Sequence, residues 1–82
     1  MAKVVLPHEL QLLADGEKEF ELAVTNVREL KRELIARFPA MESVLESDSL
    51  AVVIDGVIHA DAFLEPIAPR SEVHFLPAIR GG

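Results

Sequence analysis

The sequence predicts an α+β domain in which a mixed sheet packs on one main helix. Three observations carry this. Phe20, Leu22 and Val24 alternate with Glu19, Glu21 and Ala23, the period of a strand with one buried face. From Val27 the period changes, with Val27, Leu30, Leu34 and Phe38 recurring at helical intervals. Two Asp-Gly pairs, Asp15-Gly16 and Asp55-Gly56, punctuate the strand-like segments as turns. With 82 residues, 50% hydrophobic and 27% charged, the chain has the composition of one folded domain with room for one core.

The elements follow in order. "KVVLP" reads as a short strand that Pro7 closes, because proline lacks the amide the next ladder bond needs. "HELQLLADG" leads to a turn at Asp15 and Gly16, and "EKEFELAV" returns as a strand with Phe20, Leu22 and Val24 on one face, so the chain opens with a hairpin. Asn26 is an N-cap with Glu29 three residues on, a variant of the capping-box pattern. The helix it starts ends before Pro39, which disfavours helical backbone at Phe38.

Residues 40–49 are expected to form a loop with a helical turn. "LAVVI" is a buried strand, Asp55-Gly56 a hairpin turn and "VIH" its short return. "DAFLEPIAPRSE", with two prolines, reads as a connection. The last strand is "VHFLP", with Val73 and Phe75 on one face and His74 and Leu76 on the other. One helix covering one face of such a sheet is an arrangement of the β-grasp kind, in which the first and last strands lie side by side at the centre. The expected organisation is a β-grasp domain over residues 1–77 and a flexible Gly-Gly tail over residues 78–82.

Composition excludes several function classes. There is no cysteine, so disulfides, thiolate metal sites and a cysteine nucleophile are ruled out. A net charge of −6, with 14 acidic residues against 8 basic ones, is the wrong sign for phosphate neutralisation, so no nucleic-acid partner is expected. The longest aliphatic run, Leu50–Ile54, is far too short to span a bilayer, and "MAKVVLP" lacks the apolar stretch of a signal peptide. No membrane association and a cytoplasmic location are therefore expected. His8, His59 and His74 lack metal-ligand spacing, so no metal is expected. Ser43, Ser47 and Ser49 lack the glycine-framed turn of a serine nucleophile, and no glycine-rich phosphate loop is present.

The chemistry is left to the tail. Glycine has no Cβ to block a narrow channel or restrict the backbone, so Gly81 and Gly82 suit a chain end that must be threaded into another protein's site. An α-carboxylate is a poor acyl donor, but adenylation gives it a good leaving group.

"EVHFLPAIRGG", together with the β-grasp order, resembles the ubiquitin-like sulfur carriers of the MoaD/ThiS type, and the likeness covers nearly the whole chain. Within that family the ending, with an aromatic residue and a proline before the tail, is more similar to the molybdopterin synthase small subunit than to the thiamine branch. The opening "VVLPHELQLLADGEKEFEL" is also similar to carriers that serve cysteine synthesis.

The resemblance implies a protein co-substrate and not an enzyme. The Gly82 carboxylate would be adenylated by an adenylating enzyme of the MoaB/ThiF type, which uses ATP, while the carrier itself binds no cofactor. A sulfur donor would convert the adenylate to a thiocarboxylate for molybdenum cofactor biosynthesis, the acceptor being an enzyme such as the molybdopterin synthase large subunit. Ile79, Arg80 and Gly81 would lie in the partner's channel, and Phe75, Leu76 and Pro77 are the docking candidates. Cysteine or secondary-metabolite biosynthesis, or conjugation to proteins through Gly82, are the alternatives. Arg80 departs from the small residue usual at this place in the molybdopterin branch and matches ubiquitin. It is either a contact to a partner's carboxylates or a solvent-exposed residue.

Overall fold

The computed structural model describes residues 1–46, 50–59 and 65–77. Strands β1 (Ala2–Val5), β2 (Glu19–Leu22), β3 (Leu50–Ile54), β4 (Val57–His59) and β5 (Glu72–Pro77) form one sheet in the order β2-β1-β5-β3-β4. Strand β5 lies between a parallel neighbour, β1, and an antiparallel one, β3. The expected pairing of first and last strands at the sheet centre is therefore present.

Helix α2 (Val27–Arg37) packs its buried stripe of Val27, Leu30 and Leu34 on the sheet. Facing it are Val4 and Leu22 from the first hairpin, Val52 and Ile54 from β3, and Val73 and Phe75 from β5. Each fully buried Leu or Val in this set is worth about 1.5–3 kcal/mol. The helix start is built as the sequence indicates: Asn26 Oδ1 accepts the Glu29 amide at 2.8 Å. The Glu29 carboxylate reaches one residue further back than a capping box requires. It accepts the Thr25 hydroxyl at 2.7 Å and the Thr25 amide at 2.8 Å, and these two bonds hold it below the ordinary glutamate range.

Two segments carry more structure than the sequence pattern suggests. The link from β1 to β2 contains helix α1 (His8–Gln11) and a 3-10 turn over Leu12–Ala14, which bury Leu10 and Ala14. After α2, a 3-10 turn at Pro39–Met41 and helix α3 (Glu42–Glu46) bury Met41 and Leu45 as core. These short helices close the end of the core that one long helix leaves open. Residues 47–49 and 60–64, parts of the expected loop and connection, lie outside the described residues.

Both Asp-Gly pairs are turns with positive φ: Asp15 at 55° and Gly16 at 84°, Asp55 at 50° and Gly56 at 85°. In the β3–β4 hairpin this is what a type I′ turn requires at its two central positions. Asp55 does a second job. Its carboxylate accepts the Ser71 hydroxyl at 2.7 Å and the Glu72 amide at 2.9 Å, and its own amide donates to the Glu72 carbonyl at 2.9 Å. Ser71 Oγ in turn accepts the Ala68 amide at 3.0 Å. The β3–β4 turn is thus fastened to the start of β5.

Candidate functional site

The expected tail leaves the domain from the C-terminal end of β5. That strand alternates strictly: Val73 and Phe75 are buried against the helix side, while Glu72, half-buried His74 and exposed Leu76 face out. Register extends this outer face across the sheet. His74 lies between Val5 of β1 and Val53 of β3, with Glu19 of β2 and Ile58 of β4 at the ends of the same row. Leu76 sits beside Ala51. The result is a partly exposed apolar strip, Val5, Val53, Ile58 and Leu76, bordered by Glu19, Glu21 and Glu72 around Lys3.

Electrostatics at this border are modest. Lys3 Nζ is 3.5 Å from Glu19 and 3.6 Å from Glu72, and His74 Nε2 is 3.2 Å from Glu72 Oε2. The hydrogen bond from His74, followed by the attraction of His74 and then of Lys3, holds the Glu72 carboxyl below the usual glutamate range. All of these groups are substantially exposed, so the pairs set charge pattern more than stability.

The residues expected to form the site divide cleanly. Phe75, offered as a docking residue, is 2% exposed, which corrects that expectation: its ring points to the core and is unavailable to a partner. Leu76 is 43% exposed and stands on the outer face. Pro77 ends β5 opposite Leu50. Ile79, Arg80, Gly81 and Gly82 lie outside the described residues, as does the whole expected tail over 78–82. Val5, Val53 and Ile58 were not foreseen as surface partners of Leu76, because their proximity depends on register between strands far apart in sequence.

Among the described residues no group of His, Asp and Glu is placed to hold a metal ion. His59 Nδ1 faces Glu65 at 3.4 Å, while Asp61, its neighbour in sequence, lies outside the described residues. Nor is any helix among the described residues long and apolar enough to cross a membrane. The body of the domain offers a surface and a strand that leads to the tail.

A five-stranded mixed sheet wrapped on one long helix, with a parallel pair of strands at its centre, defines a ubiquitin-like protein of the β-grasp fold. The chain belongs to the ThiS family, whose model matches residues 4–82 and so runs through the Gly-Gly ending. That family comprises ubiquitin-like sulfur carriers.

Solved structures show the same fold at low identity. The chain is similar to one from the Amycolatopsis orientalis BexX/CysO complex, with a TM-score of 0.85 at 19% identity over 100% of both chains. It is also similar to SAMP1 from Haloferax volcanii, with a TM-score of 0.78 at 23% identity over 99% of this chain and 98% of that one. A third similar structure is a molybdopterin converting factor subunit 1 from Pyrococcus furiosus, with a TM-score of 0.70 at 20% identity over 95% and 97%. No curated protein matches the sequence.

Proposed function

We propose that this chain carries sulfur as a thiocarboxylate on Gly82 and delivers it to the large subunit of a molybdopterin synthase. The observation that carries the reading is the family match through Gly82 in a domain whose central strand leads directly into the tail. In the first step a carboxylate oxygen of Gly82 attacks the α-phosphate of ATP on a partner adenylating enzyme, and pyrophosphate leaves. Hydrosulfide from a sulfur donor then attacks the acyl carbon and AMP leaves, so one oxygen of the carboxylate is replaced by sulfur. Choice of acceptor rests on the "VHFLPAIRGG" ending.

The domain contributes binding. Leu76 is two residues from the start of the tail, so a partner that holds Gly82 in its active site meets the strip of Leu76, Val53, Ile58 and Val5 as it closes on the sheet. The acidic border around that strip selects a basic rim on the partner. Such a handle fixes the tail's direction of approach while the chemistry remains the partner's.

Incubation with ATP, an adenylating enzyme of this type and sulfide tests the proposal by intact mass. One oxygen exchanged for sulfur on Gly82 is the expected result. Sulfur on an internal residue, or none, would overturn it. The Arg80-Gly81-Gly82 ending also favours a second reading, conjugation of Gly82 to lysines, whose product is a ladder of heavier species in place of the thiocarboxylate.

A further inference from the structure

The two edges of the sheet are β2 and β4, and the β2 edge borders a groove that the tail chemistry does not use. Pairing on the other side of β2 settles which of its backbone groups are free. The Leu6 amide donates to the Lys18 carbonyl at 2.8 Å, which makes that facing pair a hydrogen-bonded one. Because such pairs alternate along an antiparallel ladder, Val4 with Phe20 and Ala2 with Leu22 are bonded in the same way. The amides and carbonyls of Glu19 and Glu21 therefore point away from β1, toward the open edge.

Beside that edge lies an open groove of about 430 Å³ between Ala23 and Val24, which continue from β2, and the flank of α2. Ala23, Val24 and Ala36 give it an apolar lining, and Glu29, Arg32 and Glu33 give it a charged rim. At the other end of the strand the half-buried Phe20 ring stands 5.6 Å from Phe38, with the Arg37 guanidinium 6.0 Å from its centre. An extended segment added to β2 would thus meet free backbone donors and acceptors along one side and a groove for its alternate side chains.

Charge identifies what fits. Glu17, Glu19, Glu21, Glu29 and Glu33 line or flank this edge, against Lys3, which pairs with Glu19, and Lys18, Arg32 and Arg37. A second copy of a chain with net charge −6 would bring carboxylates against carboxylates. A strand with aliphatic residues at its centre and lysine or arginine at its ends meets opposite charge instead. We infer that the β2 edge and its groove are a docking site for an extended, basic-flanked aliphatic segment of another protein, which adds to the sheet as a sixth strand.

The test is a titration of the full-length, 15N-labelled protein with the blocked peptide KKVIVIKK and its counterpart EEVIVIEE. The lysine-flanked peptide is expected to shift the amides of Glu19, Glu21, Ala23 and Ala36 and to slow hydrogen exchange at Glu19 and Glu21. The glutamate-flanked peptide should bind at least about tenfold more weakly. Glu21→Pro removes an edge donor that the fold does not use and should abolish binding. Ala36→Gln fills the groove from an exposed helix position and should weaken binding while the melting curve is unchanged. Equal affinity for the two peptides, shifts confined to Val53, Ile58 and Leu76, unaltered binding to Ala36→Gln, or no binding at millimolar peptide would each overturn the assignment.

Discussion

The two ends of β5 are held very differently. At its start, Glu72 bonds to Asp55 from both amide and carbonyl, Ser71 is clamped between Asp55 and Ala68, and β1 pairs alongside at Glu72, Val73 and His74. Beyond His74 no pairing with β1 continues among the described residues, and only β3 accompanies the strand, Ala51 beside Leu76 and Leu50 beside Pro77. The strand thus passes from fastened on two sides to held on one as it nears the tail. A carrier needs both conditions: a rigid base to present the tail, and an end that a partner can grasp without dismantling the sheet.

The largest effect is expected at the far end. Deleting Gly81 and Gly82 should abolish thiocarboxylate formation, read by intact mass, while stability changes by no more than about 0.5 kcal/mol in a thermal melt. A large drop in melting temperature would show that the tail supports the fold and would remove the contrast between the two ends. Next comes Phe75→Ala, which should cost about 3–5 kcal/mol, because a 2%-exposed ring on the central strand leaves a cavity the small core cannot fill. Chemical denaturation measures this directly.

At the fastened end, Ser71→Ala should cost about 1 kcal/mol, since it strips a buried hydroxyl from both Asp55 and the Ala68 amide. The pH dependence sharpens the point. Bonds from the Glu72 amide and then the Ser71 hydroxyl hold the Asp55 carboxyl below its ordinary value of 3.8. Its contribution to stability is present above that value and is lost as pH falls below it through the folded-state value. Denaturation at pH 7 and in acid should show this slope, and Asp55→Asn should flatten it.

The smallest effect on the fold belongs to Leu76→Asp, within about 0.5 kcal/mol, because the side chain stands on the outer face. Its expected consequence is a raised KM for loading of Gly82 by the adenylating enzyme. Unchanged loading kinetics would place the docking surface elsewhere.

How far these features are legible in the sequence depends on how local their causes are. Helix α2 and its cap are legible because the 3-4-4 spacing of Val27, Leu30, Leu34 and Phe38 and the Asn26–Glu29 pair lie within one stretch of chain. Helix α1 is not, since a single turn with only Leu10 buried displays no period. Met41 and Leu45 reach the core from a segment that reads as a loop with a helical turn and is too polar to mark them as core. The alternation of β5 groups Val73 with Phe75 correctly, but a period of two does not say which face meets the helix, so the sequence alone leaves Phe75 as a docking candidate although it is core. Asp55 is legible as a turn residue, whereas its clamp on Ser71 and Glu72 appears only once the strands are side by side. At the candidate site the glycine pair is plain in the sequence, and the outer strip is not, because it is assembled from four strands.

The parallel pairing of β1 with β5 also fixes the order in which the domain can be completed. Each of the hairpins β1–β2 and β3–β4 is local and can form early, but neither touches the other in the finished sheet until β5 enters between them. Closing that gap requires a contact between segments at opposite ends of the chain, the kind of non-local step that slows folding. Until it happens both half-sheets present an open strand edge, the kind of template on which other chains can pair.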